Sequence, residues 1–222
     1  MYFRNVKKLF VNCHTHFLES NHLSLFQVEQ AAVNQAFSYG IHPWDAATKI
    51  WNPTLIQNKN CLAVGECGLD KMRGPELQTQ EKLFRFQIEQ AEKSRKPLIL
   101  HCVKAWEEVR KIKRVLQPQQ TWIFHGLAKV NLIDEVISEG LMPSFGKAIL
   151  YHATLLEKVA QLDGKQYFLE TDDTHLHIEI LYRVLAKAKN VPLHDLIAIQ
   201  NENFNRIFGH GKMVGANSAL VE

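Results

Sequence analysis

The sequence predicts an α/β fold, specifically a TIM-type (β/α)8 barrel with a shortened first crossover. Short apolar runs rich in Val, Ile, Leu and Phe recur along the chain and are typical of buried parallel strands. Helical patterns with one apolar face separate most of these runs, which is the order of a parallel sheet with helical crossovers. The chain has 222 residues and is 46% hydrophobic, so it can bury one large core.

Eight runs are strand candidates, which is the number that a TIM-type barrel requires. In chain order they are LFVNCHTH, LSLFQV, AFSYGI, CLAVGE, PLILH, TWIFH, LMPSFG and YFLETD. Only about twenty residues separate His16 from Phe37, which is too few for a normal helical crossover together with two strands. We therefore expect the first crossover to be truncated or non-helical.

Helical patterns fill the other intervals, because apolar residues recur there at helical spacing. They cover Glu76 to Lys96, Ala105 to Leu116, Leu132 to Glu139, Thr154 to Leu162 and His177 to Ala188. A further segment, Leu196 to Phe208, is predicted as a helix that closes the barrel at its bottom or side. We expect a single domain over residues 1–209 and a flexible tail over residues 210–222, where small residues occur without any period.

Composition sets limits on partners and location. The formal net charge of +3 is far below the clustered excess of a protein that holds duplex DNA by phosphate neutralisation alone, although a nucleic-acid substrate is permitted. The four cysteines show no CxxC spacing and are expected as reduced thiols. No signal-peptide-like start and no membrane-length apolar run occur, so we expect a cytoplasmic protein with no membrane partner and no obligate protein partner.

Five of the strand candidates end on residues that can bind a metal ion, namely His14 with His16, Glu66, His101, His125 and Asp172. The carboxyl ends of parallel strands meet at one face of a barrel, so these side chains are expected to converge. One histidine after an apolar run is more often a packed residue than a ligand, but five such ends together favour a metal site. Mixed imidazole and carboxylate donors suit Zn, Mn, Fe, Ni or Co better than an all-oxygen Mg or Ca cage.

Six sequence blocks, NCHTHF, GIHPWDA, AVGECGLD, LILHCVKA, IFHG and LETDD, resemble in order and spacing the TatD family of metal-dependent hydrolases. The resemblance extends from His14 to about Phe208. It implies a TIM barrel, two divalent ions drawn from Zn, Mn, Mg, Ni or Co, and deoxyribonuclease activity, often 3′ to 5′ exonucleolytic. It further implies that one ion is held by His14, His16 and Asp172, the other by His101 and His125, and that Glu66 bridges them.

The resemblance implies a binuclear metal-bound hydroxide as nucleophile, with Glu66 and Asp172 as catalytic residues. Asp172 would ligate an ion and also take the proton from water. The expected substrate is a DNA end or another phosphodiester. His42 is either a turn residue or a contact to a substrate phosphate, and Lys104 is a second candidate substrate contact.

Three positions depart from the family pattern. Asn12 stands where Asp is usual, Val103 where Arg commonly follows the strand-five histidine, and Thr174 where Pro is usual. The missing Arg removes a forked phosphate donor, for which Lys104 is a possible point-charge substitute. Two alternatives remain open, an amidohydrolase-type hydrolase of a small amide or ester and a catalytically silent binding barrel.

Overall fold

The computed structural model describes residues 9–17, 23–27 and 35–209. The tail expected at residues 210–222 lies outside these ranges, as does most of the first crossover. Within them, eight strands form one sheet: β1 Val11–Thr15, β2 Leu23–Gln27, β3 Phe37–Tyr39, β4 Cys61–Asp70, β5 Leu98–Val103, β6 Trp122–Phe124, β7 Met142–Phe145 and β8 Phe168–Leu169. Each strand coincides with one of the eight predicted runs.

The strands are parallel and lie in sequence order, so every neighbour in the sheet is the next strand along the chain. The last strand returns to the first through a parallel bridge between Thr15 and Asp172. The His16 amide donates to the Asp172 carbonyl at 3.0 Å, and the Asp172 amide donates to the His14 carbonyl at 3.1 Å. These two bonds close the predicted TIM-type barrel.

Seven α-helices surround the sheet in the described part of the chain: α1 Pro53–Gln57, α2 Leu77–Ser94, α3 Trp106–Leu116, α4 Ile133–Ser138, α5 Ala153–Gln161, α6 Ile178–Lys189 and α7 Leu193–Phe208. All but α1 agree with the predicted helices to within a few residues. The five-residue α1 is too short to give a hydrophobic period, and its start depends on the Asn52 side chain, which accepts from the Thr54 amide. Strand β1 ends at Thr15 and β2 begins at Leu23, so the first crossover is short, as predicted.

The barrel interior forms a hydrophobic core that is separate from the one between the sheet and the helices. It contains Val11, Cys13, Leu25, Ala36, Leu62, Ala63, Ile99, Ile123, Met142 and Phe168, and the α7 residues Phe204 and Phe208 pack against this set. Helix α7 therefore closes the interior at the end opposite the carboxyl termini of the strands, which leaves the other end open for a site. No helix in the described ranges is both long enough and apolar enough to span a bilayer.

Two glycines bring β4 unusually close to β5. Gly65 and Gly68 have φ angles of 146° and 145°. A Cβ atom at Gly65 would lie 2.5 Å from the Ile99 carbonyl oxygen, and one at Gly68 would lie 2.0 Å from the His101 carbonyl oxygen. Only glycine permits this approach, and it places Glu66 against the β5 backbone between the Val64–Leu98 and Cys67–Leu100 pairs.

Candidate metal centre

Glu66 lies at the centre of a cluster of imidazoles at the carboxyl end of the barrel. It is 4% exposed. Its Oε2 atom lies 3.1 Å from His16 Nε2 and 3.3 Å from His14 Nε2. Its Oε1 atom lies 2.8 Å from His125 Nε2 and 3.4 Å from His101 Nδ1. The two oxygens of one carboxylate therefore face two different sets of histidines.

The first set consists of His14, His16 and Asp172, which come from the adjoining ends of β1 and β8. Asp172 Oδ1 lies 3.5 Å from the Nε2 atom of each histidine. Together with Glu66 these residues can present one donor atom each within 4.8 Å of one another. Two ligands about 2.1 Å from one ion at a tetrahedral angle stand about 3.4 Å apart, so the observed separations match those around a divalent ion.

The second set consists of His101 and His125, with His42 beside them. His125 Nε2 lies 3.3 Å from His101 Nδ1, and His42 Nε2 lies 3.7 Å from Glu66 Oε1. The His42, Glu66 and His101 donor atoms also fall within 4.8 Å of one another. The sequence predicts a turn residue or a substrate contact at His42. Its Nδ1 does accept from the Trp44 amide at 3.3 Å, which leaves Nε2 as a further candidate ligand.

Buried nitrogen atoms without partners support this interpretation. His14 is fully buried, and neither of its ring nitrogens has a hydrogen-bond partner in the described part of the chain. His125 Nδ1 is also buried without a hydrogen bond there. Buried polar groups in proteins are nearly always satisfied, and a cation would satisfy these imidazoles and both carboxylates together. The residues present therefore fit divalent metal ions.

The carboxylates at this site are held in their ionised form. Burial alone would raise the pKa of Glu66, but the His125 and His14 imidazoles lower it far below its usual range. Burial also opposes ionisation of Asp172, yet the His14 imidazole 3.5 Å away and the charge of His125 bring its pKa to about 2. Burial disfavours the charged form of His14, whereas Glu66 and Asp172 raise its pKa to about 9. The site thus attracts positive charge to a buried position.

Asp70 orients one of the candidate ligands. Its Oδ2 atom lies 3.3 Å from His101 Nε2 and accepts from Trp44 Nε1 at 2.6 Å. The Asp70 carboxylate thus lies behind His101, where it fixes the ring so that Nδ1 faces Glu66.

Glu170 is a further residue of the site that the sequence patterns do not predict. It is completely buried, lies 3.6 Å from His125 Nδ1, and accepts from the Gly126 amide at 2.7 Å and from the Ser144 hydroxyl. Its position two residues before Asp172 was the available signal, because residues two apart on a strand share a side. Its partners come from the neighbouring strand and loop, which the sequence pattern does not reveal.

Lys104 does not join the cluster around Glu66. It follows β5 with a positive φ of 52° and lines a separate cavity of about 690 Å³, whose walls include Trp106, Phe124 and Leu127. Eight residues were proposed from sequence as site residues. Six of them lie around Glu66, which is the seventh, and Lys104 lies at this flanking cavity.

A closed parallel barrel with imidazole and carboxylate donors at the carboxyl ends of its strands is the architecture of a TIM-barrel protein with a candidate metal centre. The model of the family described as "TatD related DNase" matches residues 2–209 of this chain. The chain belongs to that family, which confirms the resemblance found in the sequence blocks.

Curated relatives share modest identity with the chain. A Vairimorpha ceranae protein named "Putative deoxyribonuclease TATDN1 homolog" is 25% identical over 166 residues, which is 71% of this chain and 60% of that protein. The Methanocaldococcus jannaschii protein "Uncharacterized metal-dependent hydrolase MJ1582" is 25% identical over 174 residues, covering 72% of this chain and 68% of the relative. The chain thus spans about 60% of the length of the first of these relatives.

Solved structures support the fold. The TatD homolog YJJV of Escherichia coli superimposes with a TM-score of 0.66 at 20% identity, covering 78% of this chain and 76% of that chain. A TatD-family hydrolase from Entamoeba histolytica gives a TM-score of 0.67 at 16% identity, with 78% and 74% covered. At these identities the likeness shows that the chain shares the fold of these proteins.

Proposed function

We propose that this protein is a divalent-metal-dependent phosphodiesterase, and specifically a deoxyribonuclease that removes nucleotides from 3′ ends. The observation that carries this proposal is the position of Glu66, whose two oxygens face two separate donor sets at 2.8–3.4 Å. Membership of the TatD related DNase family and the name of the Vairimorpha ceranae relative support DNA as the substrate.

The proposed centre takes two ions. His14, His16 and Asp172 would hold one ion, His101 and His125 would hold the other, and Glu66 would bridge them. His42 is an additional donor available to the second ion. When bound, two divalent ions supply Lewis acidity, which makes water a nucleophile near neutral pH and neutralises charge on a phosphoryl oxygen.

The protein's own residues supply position and proton transfer. Glu66 is buried between the two sets, and its closeness to β5 through Gly65 and Gly68 fixes their separation. The Asp172 side chain is 36% exposed and lies at the open end of the barrel. Its carboxylate could therefore both bind the ion of the first donor set and accept a proton from the attacking water.

The two alternatives from the sequence analysis have weaker support. Many amide-hydrolysing barrels bridge their metals with a carboxylated lysine, whereas this chain has Glu66 at that strand end, which favours phosphoryl chemistry. A silent binding barrel would be expected to lack one or more donors, whereas this chain has Glu66 and the five other proposed ligands close to it.

Elemental analysis of the purified protein combined with activity assays tests the proposal. We expect about two equivalents of divalent metal per chain and release of labelled mononucleotide from a 3′-labelled single-stranded oligonucleotide. A small phosphodiester and a small amide should be assayed in parallel under several metals. Full metal content with amide cleavage and no phosphodiester cleavage would overturn the proposed chemistry. Cleavage only in the interior of the strand would overturn the exonuclease assignment.

A further inference from the structure

An exposed cation and an aromatic ring form a pair at the rim of the candidate metal centre. The guanidinium carbon of Arg73 lies 3.6 Å from the centroid of the Trp44 ring. Trp44 is 38% exposed, and Arg73 is exposed on the loop between β4 and α2. Arginine stacked on an aromatic ring in this way loses much of its freedom while keeping its charge.

Trp44 packs against the second donor set. Its ring centroid lies 4.3 Å from that of His42 and 5.8 Å from that of His101. Its Nε1 donates to Asp70 Oδ2, the same oxygen that lies 3.3 Å from His101 Nε2. The Arg73 guanidinium therefore contacts the same tryptophan ring that packs against the candidate ligands His42 and His101.

The loop that carries Arg73 is folded back onto Trp44. Gly74 has a φ of 93°, and a Cβ atom there would lie 2.9 Å from the Trp44 Cα atom, so a glycine is needed for this approach. The Gln80 side-chain amide donates to the carbonyls of Arg73 and Pro75 at 3.2 and 2.7 Å. The backbone below the guanidinium is thus anchored to helix α2.

The Arg73 guanidinium has no anionic partner in the part of the chain that the structure describes. By contrast Arg85, Arg110, Arg114 and Arg183 each pair with a glutamate. A guanidinium that stacks through its face keeps its N–H edge available, and that edge matches the geometry of a phosphate. Arg73 is therefore a preorganised anion contact beside the candidate centre.

We propose that Arg73, held against the Trp44 ring, binds a backbone phosphate that flanks the scissile phosphodiester of a nucleic-acid strand. This inference rests on the proposed function. The Trp44 ring contacts the guanidinium and also packs against the rings of His42 and His101, so Arg73 stands beside the donors and not among them. We therefore expect that a substrate with a single phosphate at the metal centre does not reach Arg73. Val103 provides no cation at the adjoining end of β5, and Lys104 lines another cavity.

The first test compares Arg73→Gln with wild type on two substrates. For a 3′-labelled single-stranded oligonucleotide we expect KM to rise about tenfold with little change in kcat, because one charge-assisted phosphate contact is lost. For bis(4-nitrophenyl) phosphate, which has one phosphate, we expect kcat/KM to stay within about twofold. Arg85→Gln is the matched control, because it removes the same charge from the surface of α2. Equal losses on both substrates, or an equal effect of Arg85→Gln, would overturn the proposal.

A second test identifies the phosphate that Arg73 contacts. Backbone phosphates near the labelled end are replaced one at a time by neutral methylphosphonate. At one flanking position the methylphosphonate should raise the KM of wild type by about as much as Arg73→Gln raises it on the unmodified strand. At that position it should raise the KM of Arg73→Gln no further. Independent increases in KM at every position would contradict the contact.

Binding measurements keep this inference separate from the proposed catalytic function. Fluorescence anisotropy with a labelled single-stranded oligonucleotide should show about tenfold weaker binding to Arg73→Gln, and its salt dependence should have a slope smaller by about one. This expectation holds whether or not the protein cleaves the strand. Unchanged affinity and slope would overturn the role of Arg73, whereas wild-type binding without cleavage of any phosphodiester would overturn the proposed function alone.

Discussion

Replacing Gly68 with alanine tests how the barrel positions its candidate metal centre. Gly68 pairs with His101 in the ladder between β4 and β5, two residues beyond Glu66. The added Cβ atom would lie 2.0 Å from the His101 carbonyl oxygen, whereas a carbon and an oxygen in contact stand about 3.3 Å apart. The two strands must therefore separate by more than about 1 Å, or the β4 backbone must turn.

Two costs contribute to the expected destabilisation. The φ of 145° at Gly68 is unfavourable for any residue with a Cβ atom, at about 1–3 kcal/mol. The steric overlap with the neighbouring backbone adds about 1–3 kcal/mol, as overpacking of a dense interior does. We expect Gly68→Ala to lower the free energy of unfolding by about 2–6 kcal/mol in total.

Urea unfolding of the chelator-treated protein measures this loss without a contribution from bound metal. Gly140→Ala is the matched control, because Gly140 also has a positive φ, 76°, but its Cβ atom would meet only the end of the Lys113 side chain at 3.7 Å. Gly140→Ala should lower the free energy of unfolding by about 1 kcal/mol. A Gly68→Ala protein no less stable than Gly140→Ala would refute the argument that close approach of β4 to β5 requires glycine.

Three further predictions concern the site and the barrel closure. Glu66→Gln should lower metal content more than His101→Ala does, since the Glu66 carboxylate faces both donor sets; equal losses by elemental analysis would argue for two independent sites. Asp172→Asn should reduce single-turnover cleavage about a hundredfold while at least one metal stays bound, and wild-type turnover would leave Asp172 as a structural ligand only. Tyr182→Phe should lower the free energy of unfolding in urea by about 2–4 kcal/mol, because the buried hydroxyl accepts from the Val11 amide at 3.1 Å and donates to the Val11 carbonyl at 2.9 Å. A decrease below about 1 kcal/mol would contradict this role.

Much of the fold could be predicted because its signals are local. Each strand is a short apolar run, and helices such as α2 and α6 repeat buried residues at helical spacing. The five-residue helix α1 could not be found in this way, because it has no period and its start depends on one capping side chain.

Sequence position alone also indicated which donors belong to the open end of the barrel. His14, His16, Glu66 and Asp172 each follow an apolar run, and the parallel order of the strands sends all such ends to one face. That inference needed only the order of the strands along the chain.

The tertiary structure alone decided how the donors are divided and supported. The separation of the two Glu66 oxygens between different histidine sets depends on the closeness of β4 to β5. The contact of His125 with Glu170 depends on the side-by-side packing of β6, β7 and β8. Trp44 and Arg73 lie in different loops, and only the folding of one loop onto the other stacks them. The sequence by itself determined which residues lie at the ends of strands and so at the mouth of the barrel, because an apolar run is a local signal. It did not determine the partners of these residues, because contacts between distant segments depend on the packing of the whole chain.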